Sequence, residues 1–245
     1  SKSFIPSISK LEVTTNVNFV TGAQYTGTNW SLGGDVMDYG GWFVPSIIIG
    51  VVDNNTLKPW CVENPSGNSC EDCHSFHCVG QWNGVTSICP TSSGSGHMGR
   101  NRCLKFFIFD SWDTTRLNAL TSFLNNYIPD SNYIVAYSYV PDNFAWSNYD
   151  LYDRWPQSLF DAFTDLGASG LYPGLHNCGF AFIAQKGNPS SALEVYSDTI
   201  YGPVGDPSYS LSLETNVYGN DISGYITSTK AGPALKWDKI YWQQH

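Results

Sequence analysis

Ile47-Ile48-Ile49-Gly50-Val51-Val52-Asp53 is the stretch that decides the fold. Its apolar run is short and unbroken by polar residues, and turn-forming residues follow it, so it reads as a fully buried strand. Two later segments share this character: Leu104-Lys105-Phe106-Phe107-Ile108-Phe109-Asp110, and Gly179-Phe180-Ala181-Phe182-Ile183-Ala184-Gln185-Lys186-Gly187. Asp53-Asn54-Asn55-Thr56 supplies turn chemistry after the first, and Leu57 to Trp60 begins a return strand. That return is interrupted by a stretch holding six of the seven cysteines, after which the chain re-enters the sheet at Leu104.

Working outward, residues 8–20 alternate as a strand with one polar face, and residues 21–46 read as loops and short strands. Asp113-Thr114-Thr115 offers a helix cap, followed at helical spacing by Leu117, Leu120, Leu124 and Tyr127, with a stop before Pro129-Asp130. Residues 133–140 are β-branched and aromatic, as strands are. A second helix is expected from Pro156, with Leu159, Phe160, Phe163 and Leu166 on its apolar face and Gly167 as its stop. From residue 206 the pattern alternates again: Tyr209, Leu211, Leu213, then Ile222, Tyr225, Ile226, then Trp237, Ile240 and Trp242.

The fold class expected is α+β: two packed, mainly antiparallel β layers with two or three helices, flanked by β-sandwich segments from both termini. The divisions are an N-terminal β segment (1–46), an α+β domain (47–205) with a Cys-rich insertion (61–103), and a C-terminal β segment (206–245) able to pair with the first.

Composition narrows the function. Apolar residues make up 42% and charged residues only 13%, which excludes disorder and a coiled coil. Twelve Lys plus Arg against twenty-one Asp plus Glu leave a net charge of −9, and no basic run exists, so neither nucleic acid nor an anionic membrane is an expected partner. No apolar stretch approaches the ~20 residues that span a bilayer. Because the chain opens at Ser1-Lys2 without a leader pattern, a mature or excised form is expected. With nine Trp and fifteen Tyr, some rings are expected at or near the surface, where they supply contact area for partners, sugars included, while β-rich sandwiches also use aromatics as core and cross-strand filler.

Cys61, Cys70, Cys73, Cys78, Cys89 and Cys103 read as a disulfide framework, which implies an oxidising compartment and a secreted or cell-surface location. Two other chemistries stay open. Cys70-Glu71-Asp72-Cys73-His74 matches the CxxCH pattern of covalent haem c attachment, with Met98, His77 or His97 available as a distal ligand. Cys70, Cys73, His74, His77 and Cys78 have the short spacings of a tetrahedral zinc site. Otherwise no cofactor is called for, and Cys178 is left over. Asn29-Trp30-Ser31 and Asn54-Asn55-Thr56 fit the N-glycosylation pattern. The sequence holds no GxSxG elbow, HExxH or Gly-rich phosphate loop. Asp110, Asp113, Asp142, Asp150 and Asp153 are the carboxylates available for paired acid–base work, but aspartates at helix starts and turns are commoner. The expectation is a non-catalytic protein.

Several of these residues form a pattern in order and spacing. Phe109-Asp110-Ser111-Trp112, the helix to Leu124, Ile128-Pro129-Asp130 and Tyr133 to Val140 resemble the ILEI (interleukin-like EMT inducer, or PANDER-like) domain. So do Leu166-Gly167-Ala168, Phe180 to Gly187, Glu194 and Tyr201-Gly202-Pro203-Val204. The resemblance spans residues 47–205. The flanks, Gly224-Tyr225-Ile226-Thr227-Ser228 and Gly232-Pro233-Ala234-Leu235-Lys236-Trp237, are similar to a region of large Bacteroidetes surface proteins of the type IX secretion sortase-like (PorU-like) and gliding-associated kind, where it lies outside the peptidase domain.

The resemblance implies a non-catalytic unit that binds carbohydrate or another surface protein beside neighbouring domains of one polypeptide. The family's sugar-contacting acid falls on Asp142, its Arg near Asn177 and its Trp on Phe180; without the Arg, a sugar loses a forked donor. From the residues themselves, Asp142 beside Phe144, Trp146 and Tyr149 offers an acceptor among aromatic faces able to stack on a pyranose, while Pro141-Asp142-Asn143 also reads as a plain turn. An assembly module without free ligand is the other reading.

Overall fold

The computed structural model describes residues 2–17, 28–37, 46–62, 74–76, 105–139, 151–175, 179–197 and 209–226. Its strands are β1 (Lys2–Val17), β2 (Asn29–Leu32), β3 (Asp35–Val36), β4 (Ser46–Val52), β5 (Trp60–Val62), β6 (His74–Phe76), β7 (Phe107–Asp110), β8 (Tyr133–Tyr139), β9 (Phe180–Gln185), β10 (Asn188–Tyr196) and β11 (Tyr209–Ile226). Two helices, α1 (Thr114–Ser122) and α2 (Gln157–Asp165), flank β8 in sequence.

The apolar run Ile47–Val52 lies in β4, which is buried along its whole length. It lies inside a five-stranded antiparallel sheet of order β10-β9-β8-β4-β7. Successive strand side chains point to opposite faces, and both faces here are covered. Ile47, Ile49 and Val51 pack with Leu117, Leu120, Phe123, Leu159, Phe160 and Phe163 of the helical layer. Ile48 and Val52 pack instead with Leu11, Val13, Trp30 and Val217, from a four-stranded sheet of order β11-β1-β2-β3. The molecule is therefore helices, central sheet and terminal sheet in three layers, an α+β arrangement of two packed, mainly antiparallel β layers. A polar residue anywhere in β4 would meet protein on either side, which is why the segment carries none between Ile47 and Val52.

The helical side is rich in rings. Phe123 lies 4.7 Å from Phe107, and Phe163 stacks on Trp155 at 5.6 Å while meeting Phe182 edge-on. Such offset and T-shaped pairs add about 0.5–1.5 kcal/mol each beyond their burial. Between the two sheets, the Trp30 ring lies against the bare backbone of Gly50: a Cβ there would fall 2.6 Å from Trp30 Cε2.

The terminal sheet joins the two ends of the described chain. β1 and β11 pair from Lys2↔Ile226 to Val17↔Tyr209, with one register shift between Pro6 and Ile8. Leu11 and Val13 face inward and are buried, whereas Ile8, Lys10, Glu12 and Thr14 lie opposite Tyr218, Asn216, Glu214 and Ser212 on the outer face. Glu12 and Glu214 stand directly opposite one another, and Lys10 relieves their repulsion with contacts of 2.7 and 2.8 Å.

The β4 turn is tied into the same sheet. Asp53 Oδ1 accepts from the backbone N–H groups of Asn55 and Thr56, the side chain-to-backbone turn for which Asp and Asn are suited. Asn220 N–H then donates to Asn54 O at 2.7 Å, and Tyr133 Oη donates to Tyr218 O. Among the described residues no helix is long and apolar enough to cross a membrane.

Three expectations need correction, and one strand was not expected at all. The helix after Asp113 stays regular only to Ser122, then widens into a π-helical turn over Phe123–Tyr127, which swings Tyr127 off the apolar face to become exposed. The return strand expected at Leu57 to Trp60 forms at Trp60–Val62, because Leu57 takes a left-handed φ of 52° to finish the turn. Strand β10 carried no expectation, since its first half, Asn188-Pro189-Ser190, is exposed and polar. β11 is one 18-residue strand rather than separate pieces.

Candidate functional site

Strand registers bring one end of the central sheet into focus. Ser46, at the start of β4, opposes both Asp110 at the end of β7 and Tyr139 at the end of β8. β9 begins beside them: Ser138 Oγ donates to Phe180 O and accepts from Phe180 N–H at 3.0 Å. β10 ends there too, with Tyr196 opposite Phe180 and Ser197 N–H donating to Gly179 O. Residues 140–150 connect Tyr139 to Leu151, and residues 176–178 connect Leu175 to Gly179. Asp142, Phe144, Trp146, Tyr149 and Asn177 all belong to those two connections, and all lie outside the described residues.

The described neighbours at this end are charged and aromatic. Arg154, in the turn after residue 150, donates from Nη1 to Trp112 O at 2.6 Å and holds its guanidinium 5.8 Å from the Trp112 ring centroid. A guanidinium over an indole is attracted to the ring face, so the pair is fixed in two ways. Asp110 Oδ1 accepts from Trp112 N–H at 2.9 Å. Burial raises the Asp110 carboxyl above its ordinary value; Asp113 adds to the rise, while the Trp112 N–H, Arg116 and Arg154 oppose it. Asp113 is the N-cap of α1, its Oδ1 accepting from Thr115 N–H at 2.8 Å. Of the five aspartates weighed for acid–base work, Asp110 and Asp113 thus hold local backbone and Asp153 is exposed; Asp142 and Asp150 lie outside the described residues.

The resemblance assigns a sugar-contacting aromatic to Phe180, and the structure corrects this. Phe180 is fully buried on the helical side, 6.0 Å from both Trp155 and Phe163, where no ligand reaches it.

A second polar cluster joins the α2–β9 connection to β10. The Glu194 carboxylate accepts from Ser169 N–H, Ser169 Oγ, Gly170 N–H and Tyr196 Oη. Desolvation pushes the Glu194 carboxyl up, but these donors together outweigh it and hold it below the ordinary value. Desolvation and the Glu194 contact push the Tyr196 phenol well above its ordinary value.

At the opposite end of β9, Lys186 Nζ donates to Leu124 O, Asn125 O and Ile128 O at 2.6, 2.9 and 2.6 Å, closing the C-terminal carbonyls of the widened helix.

Cys61 is buried in β5 and disulfide-bonded. The other cysteines, Cys70, Cys73, Cys78, Cys89, Cys103 and Cys178, lie outside the described residues, as do His77 and the side chain of His74. Among the described residues no group of three or more His, Cys, Asp or Glu could hold a metal ion. Of the two glycosylation patterns, Asn54 is buried, and Asn29 sits half-buried in β2 between Thr28 and Trp30, both buried.

Sequence reasoning passed over Arg154, Trp112 and Glu194 as site neighbours. The signal for the first was present in Tyr152-Asp153-Arg154-Trp155, one of the few places where a cation stands among aromatics. Glu194 stands among the residues of the resemblance and is the lone acid of its strand, but neither marks it as a site neighbour. No family model matches the chain, and no curated protein matches its sequence.

Proposed function

We propose that this chain is a non-catalytic extracellular recognition module that binds carbohydrate through the connections at the Asp110–Phe180 end of its central sheet. The observation that carries this reading is the register. Residues 140–150 and 176–178, holding every candidate sugar contact, leave the scaffold at the same end, beside the Arg154–Trp112 pair. Rigid strands holding aromatic-bearing loops at one edge are how recognition sites are commonly built. In its larger context the chain serves as one unit of a cell-surface protein. The disulfide at Cys61 supports an oxidising location and a cross-linked framework through the remaining cysteines.

A printed glycan library followed by tryptophan fluorescence titration tests the reading. Asp142→Ala and Trp146→Ala are expected to weaken binding roughly tenfold or more, the scale of one lost charge-assisted hydrogen bond or stacking face, with an unchanged far-UV spectrum. A flat response to every glycan refutes carbohydrate recognition and leaves the assembly-module reading. Metal analysis and the absorbance spectrum address the Cys-rich segment: zinc at unit stoichiometry or a Soret band would replace the disulfide framework.

A further inference from the structure

We infer that Glu194 is a positioning residue: its carboxylate clamps the α2–β9 connection onto β10 and so fixes the segment that leads into residues 176–178 of the proposed carbohydrate site, on whose reading the functional half of the inference rests. Between Ala168 N–H, which donates to Phe163 O, and Leu175 N–H, which donates to Tyr172 O, the segment has few backbone partners among the described residues. Glu194 supplies them from across the chain. Oε1 accepts from Ser169 N–H at 3.1 Å and from Ser169 Oγ; Oε2 accepts from Ser169 N–H at 3.0 Å, Gly170 N–H at 3.3 Å and Tyr196 Oη at 2.6 Å.

The fit on either side of the carboxylate is close. A Cβ at Gly170 would fall 2.3 Å from Tyr196 Cε2, and one at Gly167, where φ is +103°, would fall 2.1 Å from Pro189 O. Two glycines therefore let the segment press onto β10, and an ionised acceptor completes the contact. Charge-assisted bonds of this kind are about twice as strong as neutral ones. Glu194 and Tyr196 both stand near the end of β10 that abuts Phe180, so the clamp lies at that end of the central sheet.

Amide-resolved hydrogen exchange on the intact chain reads the clamp without any ligand. In Glu194→Ala the Ser169 and Gly170 amides are expected to exchange roughly tenfold to a hundredfold faster, while β8 and β9 amides are unchanged. Glu194→Gln keeps one carbonyl oxygen for Ser169 and turns its amide nitrogen toward the Tyr196 oxygen. Its Gly170 amide alone should then speed up, a pattern that stays readable if the alanine variant does not fold. Unchanged protection at Gly170 in both variants overturns the clamp. On the same glycan library, Glu194→Ala is expected to lose at least half of the wild-type signal. Full binding despite a loosened segment overturns the functional half. A wild-type chain that binds no glycan, with the exchange pattern intact, refutes the carbohydrate reading and leaves the clamp standing.

Discussion

Gly50→Ala tests the packing between the two sheets, because two physical effects pull in opposite directions there. Gly50 has no left-handed backbone to protect. In a strand interior, alanine reduces the conformational freedom of the unfolded chain, which by itself stabilises by about 0.5–1 kcal/mol. Against this, the added Cβ would sit 2.6, 2.9 and 3.0 Å from Cε2, Cζ2 and Cδ2 of Trp30. That ring is fully buried, and β4 is held by β7 and β8 on its two sides, so neither partner yields cheaply. Overpacking of a close-packed core costs about 1–3 kcal/mol, and contacts this short belong near the top of that range. The expected net effect is a loss of about 2 kcal/mol, read as a lower urea midpoint at constant slope by far-UV circular dichroism. The same substitution in a Trp30→Leu background, itself costly because it leaves a cavity, should become neutral or stabilising by about 0.5–1 kcal/mol. If Gly50→Ala raises the midpoint in the parent, or costs the same in both backgrounds, Trp30 does not lie on this glycine and the layer arrangement is wrong.

Four other substitutions address separate parts of the scaffold. Lys186→Met removes the donor to three helix-end carbonyls and should cost about 1–2 kcal/mol, with the loss confined in hydrogen exchange to residues 123–132. Asp113→Ala takes away the N-cap of α1 and should cost about 1 kcal/mol by urea unfolding; an effect within error would mean the helix start is fixed by packing alone. Two carboxylates shape the pH dependence with opposite signs. The Glu194 carboxyl is held below its ordinary 4.5, so its contribution is complete above that value and fades as pH falls through the folded-state value. The Asp110 carboxyl is raised above its ordinary 3.8, so its ionisation weakens the fold as pH rises through that region. Asp110→Asn should therefore gain stability over wild type between acid and neutral pH, and Glu194→Gln should lose it; melting curves from pH 3 to 7 check both signs.

How much could be read from residues alone followed burial. β4, β8 and β9 were legible because a strand covered on both faces must be continuously apolar, and α1 because Asp113 precedes leucines at helical spacing. The edge strand β10 was not, since its outer half faces solvent and packing imposes no pattern on Asn188, Pro189 and Ser190. β11 was read in pieces because Gly219 and Gly224 interrupt its alternation; the first is needed where Leu57 and Asn55 approach the backbone. The widened turn at Phe123–Tyr127 has the same residues a regular helix would have, and the bonds from Lys186 to its carbonyls come from a residue about 60 positions away that local spacing does not reveal. At the candidate site, a sequence shows which residues carry aromatic and acidic chemistry but not which way a ring faces. The resemblance puts Phe180 at a ligand by position alone, though its strand turns it into the helical layer.

The pairing of Lys2 with Ile226 has a mechanical consequence. A tensile load entering at those two positions falls on a single rung of the β1–β11 ladder, so the ribbon opens one rung at a time and yields at low force. Load entering at Val17 and Ile226, at opposite ends of the same ribbon, is shared by the whole ladder in shear and meets much greater resistance. Stretching by optical tweezers from those two pairs of attachment points would give a soft, stepwise extension in the first geometry and a single abrupt rupture in the second.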